Sequence, residues 1–313
     1  MNRLLIIFIS LLTLATGCRF FKGDPYKNTT TTGKASIGAD ETFRPVVEAE
    51  IDVFKAIYGF TVFNTQYVPA NEAFDLLLKD SVQLIITSRE LKKDEIAFFH
   101  QKKLYPRQTL VAIDAIALIV NPSNKDSLIT LDQIQDILTG KISKWNQLNP
   151  SSPAEPIQVV FDNKESGIVQ FMNDSICKGK MATSNVFALD FNKDVIDYTA
   201  THPGTLGFIG ASWITNRNDS LHLSFHKRIK VMSVSQEKNP QLSDYYKPYQ
   251  AYMVDNIYPL TRNIYLINTE PRNGLATGFS AFVASDKGQR IILKSGILPA
   301  IAPTRVVNIR KDI

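Results

Sequence analysis

Apolar and polar positions along this chain recur at two periods, and the switches between them outline its elements. Residues 34–38 read as a short strand that runs into the polar turn Ala39-Asp40-Glu41-Thr42. Val47, Ile51, Phe54 and Tyr58 then recur at helical spacing, with Gly59 as a stop. Residues 60–67 carry strand character, and Asn71 is placed to cap a short helix that continues to Leu78. A continuous apolar run over 82–87 has strand length and ends at Ser88-Arg89; a helix over 94–101 and a strand-rich stretch over 110–120 follow. Alternation of this kind predicts a largely parallel sheet with helices on both faces.

The pattern then restarts. Thr130 and Gln133 have capping-box spacing, Leu131, Ile134 and Leu138 form a helix face, and Gly140 is placed as its terminator. A strand over 157–161 enters the turn Asp162-Asn163-Lys164-Glu165, after which Ser166-Gly167 opens a helix whose apolar positions are Ile168, Phe171 and Met172. A helix over 194–201 ends at His202-Pro203-Gly204 and leads into a strand over 206–209; residues 217–258 are irregular. From 260 to 267 the chain is strand-like again, with helices through Leu293. Two α/β units, the first completed by the C-terminal part, predict two lobes: 34–113 with 259–313, and 114–258. The cleft between them, at the ends of the strands, is the expected ligand site.

The N-terminus changes the picture of where this fold works. Arg3 precedes an apolar run from Leu4 to Leu14, followed by Ala15-Thr16-Gly17-Cys18. That is signal-peptide architecture over residues 1–17, too short for a membrane span, and the cysteine after it is similar to the lipidated cysteine of bacterial lipoproteins. Ala15 stands where that motif usually has leucine. Residues 18–33, with NTTTTG, read as a flexible tether from a lipid on Cys18. The expected location is therefore the bacterial cell envelope, facing the periplasm, on either the inner or the outer membrane. The other cysteine, Cys177, has no partner for a disulfide and is expected to be shielded by packing. A formal charge of +5 is spread without a basic run, which argues against nucleic acid, and 44% hydrophobic residues suffice for one or two cores.

Candidate chemistry concentrates at the turn before Ser166. A strand that ends in a polar turn and opens a helix leaves free N–H groups that favour an anion. Asp162 beside such a site must be protonated, accept a proton from the ligand, or be paired. His222 and His226 lie on the polar side of an alternating segment and read as solvated rather than metal-binding. Tyr245, Tyr246, Tyr249, Tyr252 and Tyr258 either pack their own lobe or form a partner surface. Asp114 opens an apolar strand as a hinge, pocket or turn-capping residue. The sequence carries no GxSxG, Walker loop or CxxC, so no enzyme activity, cofactor or metal is expected.

Five segments, in order, resemble the PstS-like phosphate-binding proteins of ABC transporters: KASIGADETFRP from Lys34, IQDILTGKISKWNQLNP from Ile134, Asn163 to Gly167, HPGTLGFI from His202, and YPLTR from Tyr258. The resemblance implies a type II periplasmic binding protein clamshell, each lobe a mainly parallel sheet flanked by helices, acting as a monomer on a small oxyanion without chemistry. It carries ligand contacts over to Thr42 and Phe43 on one side, and to Ser166, Gly167 and Ile168 on the other. Ile168 lacks the family's hydroxyl there, and Asn71 stands in for a missing serine.

The family's aspartate after the third strand falls on Arg89, following Ser88, and its arginine falls on Asp162. Three readings of this exchange stay open: Arg89 as the cation with Asp162 as proton acceptor, the two paired with each other as a latch, or both as surface charges. The implied function is capture of an oxyanion, with phosphate first, for an ABC permease. The alternative is an interaction protein with the same fold, accessory to a TonB-type energy-transducing envelope system.

Overall fold

The structure is a computed structural model, and it describes residues 27–182, 186–215, 224–225 and 227–303. The signal, Cys18, His222 and His226 lie outside the described residues. The strands are β1 (Gly33–Asp40), β2 (Thr61–Val68), β3 (Leu84–Thr87), β4 (Arg107–Val120), β5 (Leu128–Thr130), β6 (Gln158–Phe161), β7 (Val186–Ala188), β8 (Thr205–Gly210), β9 (Lys230–Val231), β10 (Ser233–Ser235), β11 (Thr261–Asn268) and β12 (Leu298–Pro299).

Two parallel cores are joined through long antiparallel strands. β1 pairs in parallel with β2 and β3, and β6 pairs in parallel with β7 and β8. β4 links them: its first part lies antiparallel to β11, and its residues from Ile116 to Val120 lie antiparallel to β8. The sheet path β2-β1-β3-β11-β4-β8-β6-β7 is therefore continuous. Residues 110–120, expected as a strand-rich stretch, thus serve both halves, and within this sheet parallel pairing is confined to the two cores; β5 and β10 form a separate parallel pair. A strand that leaves one sheet and enters another must be buried along its length, which is why residues 115–120 of β4 are apolar and fully buried.

Each half packs its own apolar clusters. In the first, the helix Arg44–Ile57 opens with Pro45 in its first turn, where a missing N–H costs nothing, and drives Val47, Ile51 and Phe54 against the sheet. Phe54 meets Tyr58, Phe63, Phe279 and Phe282 at ring-centroid distances of 4.7 to 5.6 Å. In the second, Trp145 is buried and donates from Nε1 to the Gly204 carbonyl at 3.1 Å, which anchors the GKISKW segment to the turn before β8. The expected capping box forms: Gln133 N–H donates to Thr130 Oγ1 at 3.2 Å and Thr130 N–H to Gln133 Oε1 at 2.9 Å, and Gly140 takes φ +81° after the helix.

Two local expectations differ from the structure, and one buried residue stands out. Residues 27–32 belong to the body rather than the tether: Asn28 Oδ1 accepts the N–H of Leu275 at 2.9 Å, and Gly278 packs against the Thr30 backbone where no Cβ would fit. Asn71 is not the cap of its helix. The helix Ala70–Leu78 begins after Pro69, whose fixed φ sets its first turn, and Asn71 is exposed. Glu50 sits on the apolar face of the helix Arg44–Ile57, 2% exposed and with no hydrogen-bond partner for either oxygen. It borders a small apolar cavity with Val46, Ile86, Val111 and Phe279, and burial pushes its pKa up to about 9.

Of the tyrosines, Tyr258 and Tyr246 pack their own half while Tyr249 is exposed. Tyr258 donates from its hydroxyl to the Ile116 carbonyl at 2.7 Å, and the Tyr246 ring lies tilted against Tyr252 at a centroid distance of 4.9 Å. Cys177 is buried and free.

Candidate ligand-binding site

The site forms where the ends of β1, β6 and β8, the middle of β4 and the start of β11 converge. Antiparallel register places Arg262 of β11 directly opposite Asp114 of β4. Both side chains are within 2% of full burial, and Arg262 Nη2 donates to Asp114 Oδ2 at 3.2 Å. The guanidinium also lies 4.6 Å over the Phe43 ring. Its Nε and Nη1 have no partner. A buried arginine with two idle donors is costly unless something accepts from them, and a fork of this kind matches two oxygens of one anion.

Gly167 stands beside that fork. A Cβ built there would lie 2.4 Å from Asp40 Oδ2, 2.8 Å from Ser88 Oγ and 3.1 Å from Arg262 Nη1, so only glycine allows these three polar groups to approach this closely. Asp40, fully buried at the end of β1, accepts at Oδ1 from the N–H of Thr42 at 3.1 Å. The Thr42 hydroxyl lies 2.9 Å from Asp40 Oδ1 and 3.0 Å from Asp162 Oδ2. One hydroxyl carries one proton, so this chain of three is satisfied in full only when one of the two carboxyls carries another.

The acidity of the group fits that requirement. Burial, then the neighbouring Asp40 charge, raise Asp162 to about 6 against the pull of Ser166, Arg262 and Thr42. Burial raises Glu41 to about 7, opposed mainly by Asn192. Asp40 and Asp114 are also raised by burial, with Arg262 opposing. Asn192 ties these acids together: its Nδ2 donates to Glu41 Oε2 at 2.7 Å and to Asp162 Oδ2 at 3.0 Å, while its Oδ1 accepts the Gly210 N–H at 3.0 Å. Trp213 Nε1 donates to the Thr42 carbonyl at 3.0 Å and so holds the first turn against the second half of the molecule.

The structure brings together Thr42, Phe43, Ser88, Asp162, Ser166 and Gly167 from the sequence-derived set. Ser166 caps its helix, accepting from the Val169 N–H at 3.2 Å, and Ile168 packs its side chain into the second core. Asn71 lies outside. Arg89 is the main correction: it neither reaches the cleft nor meets Asp162. Nη1 and Nη2 donate to Glu95 at 2.9 and 2.8 Å, and the guanidinium lies over Phe74. Glu95, six residues on at the start of the next helix, takes both ends of the fork locally and holds it away from Asp162. The resident cation is Arg262, which sequence reading passed over although it closes the YPLTR segment. Its signal was present: Arg262 alternates with Ile264 and Leu266, which puts an arginine on the buried face of a strand.

The profile of the PBP superfamily domain matches residues 24–287. The chain belongs to the PBP superfamily. Among its relatives is the phosphate-binding protein PstS of Borreliella burgdorferi, 24% identical over 303 residues that span 94% of this chain and 97% of that protein. The PstS of Pseudomonas aeruginosa is 22% identical over 281 residues, 85% of this chain and 82% of that one. Among solved structures, a protein with bound phosphate from Clostridium perfringens superposes with a TM-score of 0.72 at 21% identity, covering 86% of this chain and all of the other. An ABC-type phosphate transport receptor from Vibrio cholerae gives 0.62 at 18% identity, over 85% and 100%. The motif-based resemblance to PstS-like proteins and the type II binding-protein fold are thereby met.

Proposed function

We propose that this PBP-superfamily chain is a lipid-anchored solute-binding protein that captures a small oxyanion, with phosphate as the first candidate, and hands it to an ABC permease. The observation that carries this reading is the buried Arg262 with Nε and Nη1 unpartnered beside Gly167. An oxyanion there takes two N–H bonds from the fork and contacts Ser88, while a carboxyl of the Asp40–Asp162 pair accepts or shares the ligand's proton. That proton separates phosphate from sulfate, which has none to give near neutral pH. Closure of the two lobes about β4 and β11 would present the loaded form to the permease, with Cys18 as the membrane anchor.

The alternative, an interaction protein accessory to a TonB-type system, draws support from one feature. Asp40 Oδ2 already stands against Gly167, so an internal carboxylate partly fills the cradle. Calorimetric titration of the ligand-stripped mature protein with phosphate and with sulfate decides between them. Saturable heat with phosphate and little with sulfate is the expected result. Absence of heat with both, up to millimolar ligand, overturns capture of these oxyanions and favours the interaction protein.

A further inference from the structure

Next to the cradle lies a cavity of about 220 Å³ that no contact described so far uses. Asp40, Asp162 and Ser166 border both spaces, so the cavity begins where the anion position ends. Five carboxylates line it, from Asp40, Glu41, Glu72, Asp162 and Asp190, and no lysine or arginine does. Three of these acids present buried oxygens with no hydrogen-bond partner: Asp40 Oδ2 on a residue 0% exposed, Asp162 Oδ1 on one 1% exposed, and Glu41 Oε1 on one 5% exposed, the last facing Arg44 Nε at 3.8 Å.

Two aromatic rings, Tyr67 and Phe191, also line it, together with Val68, Pro69, Asn163 and Ser166. Both rings already carry a cation on one side, since the Arg44 guanidinium lies 4.4 Å from the Tyr67 centroid and 5.7 Å from that of Phe191. Arg44 reaches only Glu41 among the acids, at 3.8 Å. A bare phosphate dianion would meet this wall unfavourably, because one guanidinium in the cradle faces a surplus of carboxylate beside it. An ammonium group would find idle acceptors and ring faces together.

We infer that the preferred ligand is a zwitterion: a small phosphate ester or phosphonate whose oxyanion sits at Arg262 and whose amine occupies the acidic cavity against Asp162, Glu72 and Asp190. This rests on the oxyanion reading above and adds the chemistry of the ligand's other end. The amine is the part of the ligand that enters the adjoining space. It neutralises charge that inorganic phosphate leaves uncompensated.

The test compares isosteres on the ligand-stripped mature protein at pH 7.5: 2-aminoethylphosphonate against propylphosphonate, with inorganic phosphate as reference. The amine should bind at least tenfold more tightly than its methyl counterpart by calorimetry. Glu72 and Asp190 are exposed, so the double variant Glu72→Gln, Asp190→Asn should fold normally. It should cut the amine preference below threefold and leave inorganic phosphate binding no weaker than in the parent. Equal binding of the two phosphonates, or a preference that survives in the double variant, overturns the zwitterion assignment even if phosphate binds. Failure of all three ligands to bind overturns the oxyanion reading itself, and this assignment with it.

Discussion

Two arginines on neighbouring strands, Arg89 just past β3 and Arg262 on β11, have opposite relations to their surroundings. Arg89 is about a quarter exposed and has its fork filled by one nearby glutamate, so it is a structural staple between a strand end and the next helix. Arg262 is buried, pairs through a single nitrogen and keeps two donors idle. The difference teaches where to look for a binding site in a charged protein. A satisfied ion pair records how the chain was folded, whereas a buried fork left half-used marks a place held for something else.

The sharpest way to break this comparison is Arg262→Gln. Phosphate affinity should fall at least a hundredfold by calorimetry. Urea unfolding should show a loss of about 3–5 kcal/mol, because Asp114 is left buried without its partner. The double variant Arg262→Met, Asp114→Leu should recover much of the stability and none of the binding. Retained affinity in either would place the cation elsewhere.

Glu50 supplies the carboxylate version of an idle buried group, but in apolar surroundings with no ligand space to speak of. Its folded pKa lies above its unfolded value, so its stabilising protonated form is fully present below about 4.5 and is lost as pH rises to about 9. Asp162 and Glu41 have the same sign, with upper limits of about 6 and about 7. Stability should therefore decline from acid to mildly alkaline pH. Glu50→Leu should raise stability by roughly 3 kcal/mol at pH 7 and flatten the decline toward pH 9. A parallel curve for variant and parent would show that Glu50 ionises freely.

Gly167→Ala puts a methyl 2.4 Å from Asp40 Oδ2 and should weaken phosphate binding about tenfold, near 1.4 kcal/mol, with a change in melting temperature of a few degrees at most. Unchanged affinity would move the anion away from Gly167. Smallest of all is Arg89→Ala, expected to cost about 1 kcal/mol of stability and to leave phosphate affinity within twofold. A large loss of binding there would restore Arg89 to the cleft.

Element positions were readable because the two periodicities are strong: the capping box at Thr130, the helix face through Phe54 and the apolar run of β4 all stand where the pattern puts them. The pairing of β4 with both halves was not readable, since a buried run carries no mark of which neighbours it takes. The first turn and the Ser166-Gly167 turn were legible as motifs. Asn192 was not, because its role depends on three groups from β1, β6 and β8 that meet only in space. Arg89 was assigned by motif order alone and Arg262 was passed over, because nothing in sequence order reveals that Glu95 lies within reach of one and not the other.

The hydrogen bond from Trp213 to the Thr42 carbonyl has an optical consequence. The chain contains two tryptophans, and Trp145 is sealed in the interior of the second half. Trp213 alone has its indole fastened across the cleft, 3.0 Å from a carbonyl of the opposite half. Parting the halves would release that N–H to water and shift its emission, while Trp145 stays constant as an internal standard. If the lobes open as proposed, Trp213 serves as an unlabelled fluorescence gauge of that motion.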